Sequence, residues 1–134
     1  MWGGRFSKTM DDKFAQLNAS FRFDWRLYDA DIRGSAAYAR ALARAHVISD
    51  AERDALINGL GQVKQEFYSG TFTAKPSDED IHTAVERRLG ELVGSVAGKL
   101  HTGRSRNDQI ATDARLFVLD AIRNSRFAIC SWQF

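Results

Sequence analysis

The sequence has a single cysteine, a single proline and no long apolar run. With Cys130 alone, an internal disulfide is excluded, and no cysteines and histidines stand at the spacing of a zinc site. No apolar stretch approaches the ~20 residues that cross a bilayer, and residues 1–6 lack the apolar core of a signal peptide. We therefore expect a protein of the cytoplasm, or of another reducing aqueous compartment, with no bound metal and no membrane partner.

An excess of one charge is also absent. The 134 residues include 19 lysines and arginines against 17 aspartates and glutamates. Opposite charges alternate, as in residues 50–54, which is typical of a solvated helix surface. A nucleic-acid-binding domain of this size usually concentrates its basic residues on one face, so we expect no nucleic-acid partner. With 44% hydrophobic residues, the chain is suited to one packed domain.

Four segments have the periodicity of amphipathic helices, and none has that of a strand. The first is predicted from about Trp25 to His46, with Asp24 as its N-cap. The fourth begins near Ser105. Its apolar positions are Ile110, Ala114, Phe117 and Ala121. The sequence therefore predicts an all-α fold.

The second helix has the clearest local signals. Ser49 and Glu52 form a capping-box pattern at its start, and Gly70 is placed to end it. Gly59 and Gly61 weaken the prediction, because each costs up to ~1 kcal/mol relative to alanine in a helix interior.

A third helix is predicted to begin after Ser77, with the acidic residues 78–80 in its first turn, and to be closed by Gly94 and Gly98. Asp78 and His82 are four residues apart and would share one face of this helix. Such a pair can orient a base or hold a cation. Alternatively, the acids only favour the helix dipole and the histidine is structural.

The segment with the most chemistry is residues 99–109, which is almost devoid of apolar side chains although it lies between two amphipathic helices. It supplies Arg104 and Arg106 around Gly103, and it leads into a helix whose free N–H groups favour an anion. One interpretation is a pocket for a small anionic ligand. The other is a capped loop whose arginines pair with the acids of residues 78–80.

Residues 101–109 have the sequence His-Thr-Gly-Arg-Ser-Arg-Asn-Asp-Gln, and this long run closely resembles the argininosuccinate lyases, including the related lens δ-crystallins. Further matching segments are residues 2–6, 18–20, 78–83, 86–89, 99–100 and 111–113. They occur in the order and at the spacing of the family, over roughly residues 2–123.

The resemblance implies a β-elimination that cleaves argininosuccinate to arginine and fumarate, a step of arginine biosynthesis and the urea cycle, without metal or organic cofactor. A base removes a proton next to a carboxylate, and the carbanion is stabilised in its aci-carboxylate form before the guanidinium nitrogen leaves. N–H donors and cations placed at that carboxylate favour the transition state.

The resemblance also implies a set of substrate-binding positions. They are Ser20, Asp24, Asp80, His82, Arg104, Ser105, Arg106 and Asn107. Ser20 and Asn107 would contact the substrate directly, with Arg106 beside Asn107. Asp24 and Asp80 would face the arginine end of the substrate, and His82 would support the site.

The catalytic residues of the family lie in segments that this chain lacks. Neither the Thr-His pair with its base-assisting histidine nor the Gly-Ser-Ser-x-Met-x-x-Lys-x-Asn loop with its catalytic serine occurs in the sequence. The resemblance implies an N-terminal helical domain over residues 1–104 and the start of a central helical bundle over residues 105–123. Residues 124–134 depart from the family pattern, and we interpret them as an atypical tail that arises from truncation or a frameshift.

Family members are homotetramers whose active sites combine three subunits. We therefore expect that this chain by itself neither forms that tetramer nor turns over substrate.

Three alternatives stay open. One is another lyase of the fumarase/aspartase superfamily, such as adenylosuccinate lyase. Another is a structural protein of the δ-crystallin kind, which uses the fold without chemistry. The last is a small basic helical module that binds phosphate through Arg104, Arg106, Arg115 and Arg123.

Overall fold

The computed structural model describes residues 11–131, except for the side chains of residues 12, 15 and 126–131. The α-helices are α1 (Asp12–Asn18), α2 (Phe21–Asp24), α3 (Tyr28–Arg44), α4 (Asp50–Ser69), α5 (Ile81–Val93) and α6 (Arg106–Ser131). Two 3₁₀ helices lie at Trp25–Leu27 and Gly94–His101. Residues 11–131 include no strand, which confirms the predicted all-α fold.

The core lies among α3, α4 and α5. Leu56 and Leu60 of α4 and Ile81 and Leu89 of α5 are fully buried, and they pack with apolar side chains of α3 such as Ile32. Burying a leucine or isoleucine side chain contributes roughly 1.5–3 kcal/mol, so these residues dominate the stability of the fold. Helix α6 packs on α3. Among the described helices, none combines the length and apolar character needed to span a membrane.

The first helix is shorter than predicted, because α3 begins at Tyr28 after a 3₁₀ turn and ends at Arg44. Asp24 occupies the N-cap position of that 3₁₀ turn, but its side chain makes no capping hydrogen bond, so the predicted capping role is wrong. The Asp24 carboxylate accepts hydrogen bonds from the Ser20 hydroxyl (2.6 Å) and from the backbone N–H of Ile81 (3.0 Å). It therefore joins two parts of the fold instead of capping its own helix.

The second helix is confirmed at both ends. The backbone N–H of Glu52 donates to the Ser49 hydroxyl (3.2 Å), and the backbone N–H of Ser49 donates to the Glu52 carboxylate (2.9 Å). Gly70 ends the helix in the left-handed region, with a φ of 71°. Both signals involve neighbours in sequence, which explains why the sequence predicts them.

The third helix begins later than predicted. Asp80 is the N-cap of α5, and its carboxylate accepts a hydrogen bond from the backbone N–H of Thr83 (2.6 Å). Asp78 lies before the helix, where its carboxylate accepts from Arg87 (2.8 Å). The expectation that Asp78 and His82 share a helix face is therefore wrong.

Helix α6 is continuous from Arg106 to Ser131 and crosses residue 124, where we expected the atypical tail to begin. The domain divisions stay a prediction. The predicted apolar positions Ile110, Ala114, Phe117 and Ala121 are exposed. The side of α6 that is buried presents Gln109 and Asp113 instead.

Gly59 and Gly61 of α4 differ in what surrounds them, and this difference gives a test of the packing. A Cβ atom at Gly59 would lie 2.7 Å from both the Leu89 Cδ1 and the Val93 Cγ1 atoms of α5, whereas Gly61 faces open space. We expect Gly59→Ala to lower the free energy of unfolding by about 1–3 kcal/mol, because it overpacks the core. Gly61→Ala should raise it by up to ~1 kcal/mol through helix propensity.

Urea denaturation of the two variants, followed by circular dichroism, measures both effects, and each variant is the control for the other. Equal stabilisation by both alanines would show that α4 and α5 are not in close contact at Gly59.

Candidate anion-binding site and buried acid cluster

The polar segment forms a tight turn followed by the first turn of α6. The backbone N–H of Arg104 donates to the carbonyl of His101 (3.1 Å), Thr102 has φ −60° and ψ 118°, and Gly103 has φ 69°. These angles are those of a type II β-turn, in which the third residue needs a positive φ and is usually glycine. Gly103 therefore determines the direction in which the chain enters α6.

Arg104 is held against α3. Its guanidinium donates to the Ser35 hydroxyl (3.0 Å) and lies 5.2 Å from the centre of the Tyr38 ring. The Tyr38 hydroxyl in turn donates to the carbonyl of Thr102 (2.8 Å). These contacts fix both the turn and the guanidinium before any ligand binds.

Arg106 is held from the other side. Its guanidinium donates to the Glu86 carboxylate (3.1 Å) and to the Gln109 side-chain carbonyl (3.0 Å). Asn107 is exposed, and its backbone N–H donates to the Ser105 hydroxyl (3.2 Å), so Ser105 caps α6. Neither Arg104 nor Arg106 pairs with residues 78–80 within the described part of the chain, so the pairing suggested by the alternative interpretation is wrong.

A second group of expected site residues meets at the start of α5. The Ser20 hydroxyl donates to Asp24, and the backbone N–H of Ser20 donates to the carbonyl of Glu79 (2.7 Å). Asp24 accepts from the backbone N–H of Ile81, next to the N-cap Asp80. The structure thus brings Ser20 and Asp24 next to Asp80, although Asp24 and Ile81 are 57 residues apart in the sequence.

His82 joins these two groups through a buried cluster that sequence reasoning missed. Its Nδ1 atom lies 3.0 Å from the Asp31 carboxylate and 3.4 Å from the Asp113 carboxylate. Asp31 and Asp113 have no exposed surface, and His82 is 3% exposed. Asp31 lies between the buried residues Ala30 and Ile32 on α3. A charged residue between two apolar ones was the one feature of the sequence that could have indicated this buried cluster.

Burial and two nearby charges determine the protonation of the cluster. Burial and the neighbouring Asp31 raise the pKa of Asp113 to about 7. For Asp31, burial acts in the opposite direction, but the hydrogen bond and charge of His82 outweigh it and lower the pKa. For His82, the Asp31 carboxylate overcomes the effect of burial and raises the pKa. A proton in the cluster is therefore held by Asp113 or His82 in preference to Asp31.

The cluster has the geometry to hold either a proton or a cation. One ligand atom from each of Asp31, His82 and Asp113 lies within 4.8 Å of the others. Both oxygens of Asp113 and the Oδ2 atom of Asp31 are buried without a hydrogen-bond partner in the described residues. A protonated Asp113 can donate to Asp31, which satisfies part of this need without a metal.

A cavity of about 20 Å³ lies between the cluster and the two arginines. Its polar lining includes Asp31, His82, Glu86, Arg104, Arg106 and Gln109. A volume of this size accommodates a water molecule but not a dicarboxylate. An anionic ligand at this loop would therefore bind outside this cavity.

Comparison with known proteins identifies the class of this chain. A family model described as "Lyase" matches residues 4–127, and the chain belongs to this family of lyases.

Individual relatives narrow the resemblance. The chain is 66% identical over 123 residues to the argininosuccinate lyase of Roseiflexus sp. (strain RS-1). The aligned residues make up 92% of this chain and 27% of that protein. It is 52% identical over 126 residues to the argininosuccinate lyase of Chlamydomonas reinhardtii, with 94% of this chain and 27% of that protein covered. The chain thus spans about a quarter of the length of the curated relatives it matches.

Proposed function

We propose that the whole protein to which these residues belong cleaves argininosuccinate to arginine and fumarate by β-elimination. The observation on which this depends is the pair of preorganised guanidiniums at a type II turn that leads into α6. The similarity to relatives named argininosuccinate lyase supports the choice of substrate. An alternative use as a δ-crystallin-like structural protein or as another superfamily lyase has no observation in its favour.

Asn107 and Arg106 are proposed to bind a carboxylate at the succinate end of the substrate. Negative charge grows on that carboxylate as the proton leaves, and donors that are already in place stabilise it without reorganisation. The exposed amide of Asn107 and the partly buried guanidinium of Arg106 meet this requirement. Arg104 and Ser105 shape the turn and the helix start that present them.

Ser20 is proposed to bind the substrate from the start of α5. Asp24 and Asp80 face the arginine end in this proposal, and both already hold backbone N–H groups of α5. His82 supports the site from the protein interior, through its contacts with the buried carboxylates of Asp31 and Asp113. The base that removes the proton comes from outside these 134 residues, so the chain alone has no turnover.

The proposal extends to the setting of the whole protein. It acts in the cytoplasm, as a homotetramer, and without a cofactor. The exposed apolar side chains of Phe117, Val118, Leu119 and Ile122 on α6 support an assembly, because a surface of this kind favours association.

A chimera tests the proposed activity. Residues 4–127 of this chain replace the matching segment of the Roseiflexus sp. (strain RS-1) protein, and fumarate formation from argininosuccinate is followed by its ultraviolet absorbance. We expect turnover within about tenfold of the parent protein, and none from the 134-residue chain. A chimera that has the parent's oligomeric state but forms no fumarate contradicts the proposal. If the chimera with residues 4–127 does not assemble, a chimera with residues 99–113 alone is tested by the same fumarate assay, and an assembled protein without activity again contradicts the proposal.

A further inference from the structure

One carboxylate oxygen joins three helices. The Oδ1 atom of Asp31 on α3 accepts a hydrogen bond from His82 Nδ1 on α5 (3.0 Å) and another from Gln109 Nε2 on α6. Asp31 has no exposed surface, and His82 and Gln109 are 3% and 5% exposed. In this buried setting a carboxylate that accepts two hydrogen bonds is strongly restrained, and so are its donors.

The restraint continues to the surface through Gln109. With its Nε2 atom directed at Asp31, the side-chain carbonyl of Gln109 faces Arg106 and accepts a hydrogen bond from its guanidinium (3.0 Å). The other guanidinium nitrogen of Arg106 donates to Glu86 on α5 (3.1 Å). The charge of Asp31 thus determines which end of the Gln109 amide meets Arg106, because a carboxylate accepts only from the N–H₂ end.

We propose that Asp31 is a positioning residue, which orients Gln109 and through it fixes the Arg106 guanidinium at the anion-binding turn. Asp31 touches no substrate in this arrangement. It acts by holding the first turn of α6 in register with α3 and α5. The activity part of this inference depends on the proposed function, whereas the link from Asp31 to Arg106 does not.

The groups that face Asp31 favour this role over a cation site. His82 and Gln109 already donate to Asp31, and Arg104 donates to Ser35 on the next turn of α3. Asp113 from α6 and the nearby Asp80 are the other acidic groups close to His82, and Asp113 also neighbours Asp31. Hydrogen bonds therefore occupy the Oδ1 atom of Asp31 and the Nδ1 atom of His82, and Asp31 could offer a metal ion only its Oδ2 atom.

The direct test uses the 134-residue chain and the side-chain NMR signals of Arg106 and His82. The asparagine in Asp31→Asn can both donate and accept, so either end of the Gln109 amide can face residue 31. The Gln109 carbonyl is then no longer fixed toward Arg106, and we expect the Arg106 Nε–Hε signal to shift and to broaden. Gln109→Met is expected to change the Arg106 signal in the same way while it leaves His82 unchanged. Asp29→Asn is the matched control, because Asp29 lies on the same helix and pairs only with surface lysine and arginine side chains in the described residues.

The chimera supplies the functional readout. We expect Asp31→Asn and Gln109→Met to raise KM for argininosuccinate several-fold and to lower kcat about tenfold, because a displaced Arg106 binds the carboxylate less well and stabilises its growing charge less. A variant that merely loosened the fold would lower the amount of active protein and leave KM unchanged. If the unsubstituted chimera has no activity, the proposed function fails. The NMR measurement on the 134-residue chain still shows whether Asp31 positions Arg106.

Two outcomes overturn the inference. One is an unchanged Arg106 signal in folded Asp31→Asn, or in Gln109→Met if Asp31→Asn does not fold. The other is a shift of the His82 ring signals of the unsubstituted chain on addition of Zn²⁺ or Mg²⁺ alone, which would make the cluster a cation site.

Discussion

Replacing Arg106 and Asn107 together by alanine lowers kcat/KM of the chimera for argininosuccinate by at least about 10³-fold. Removing a single preorganised donor from a site that stabilises a growing negative charge costs about 10²–10³-fold. The double substitution removes a guanidinium and an amide from the same carboxylate. Fumarate absorbance, measured over a range of substrate concentrations, gives kcat and KM separately.

The control for this loss is the pair Arg44→Ala and Asn58→Ala, which removes the same two residue types from exposed positions at the end of α3 and on α4. We expect the control chimera to keep its activity. Full activity in the Arg106 and Asn107 variant would exclude the turn as the carboxylate site, and with it the assigned roles of Ser20 and Asp24.

Replacing Asp113 by asparagine makes the fold more stable at about pH 8 but not at about pH 4. The folded state raises the pKa of Asp113 from 3.8 to about 7, so between these values the folded chain holds a proton that the unfolded chain has released. The resulting stability is fully present below pH 3.8 and is lost as the pH rises to about 7. An asparagine side chain at this position has no charge to desolvate, so the gain at about pH 8 is at most about 4 kcal/mol.

Two neighbours change stability over other pH ranges. The raised pKa of His82 stabilises the fold below pH 6.5, and this contribution is lost as the pH rises through the folded value. The lowered pKa of Asp31 contributes stability above pH 3.8 that is lost as the pH falls. Between pH 4 and 6.5 the slope also includes glutamates whose pKa is lowered from 4.5, such as Glu66 and Glu91, so the difference between Asp113→Asn and the unsubstituted chain isolates Asp113.

Urea denaturation of the 134-residue chain at a series of pH values measures this slope. Asp120→Asn is the control, because Asp120 lies on the same helix and pairs at the partly exposed surface with Arg33 (2.8 Å). An identical slope for Asp113→Asn and the unsubstituted chain would show that Asp113 is ionised in the folded state.

The outcome at the helix ends shows what local sequence can predict. Ser49 with Glu52, and Gly70, were predicted correctly because a cap involves residues within one turn of each other. Among Asp78, Asp80 and Asp24 the same reasoning did not identify the cap. All three are carboxylates near a helix start, and contacts with Arg87 and Ile81 decide which of them is free to cap.

Gly59 shows the limit of helix propensity. A glycine in the middle of α4 weakened the prediction of a helix there. In the structure, the absence of a side chain at this position allows α4 to contact Leu89 and Val93 of α5. Propensity describes an isolated helix, whereas the packing of two helices determines which positions must stay small.

The sequence by itself determined the all-α fold, the capping box and the donor-rich turn at Gly103, since each depends on residues close together in the chain. Only the tertiary structure decided that His82 pairs with Asp31, 51 residues away, and that Gln109 meets the same carboxylate across 78 residues. Those partners are chosen by how three helices cross, and helix crossing is a property of the packed core as a whole.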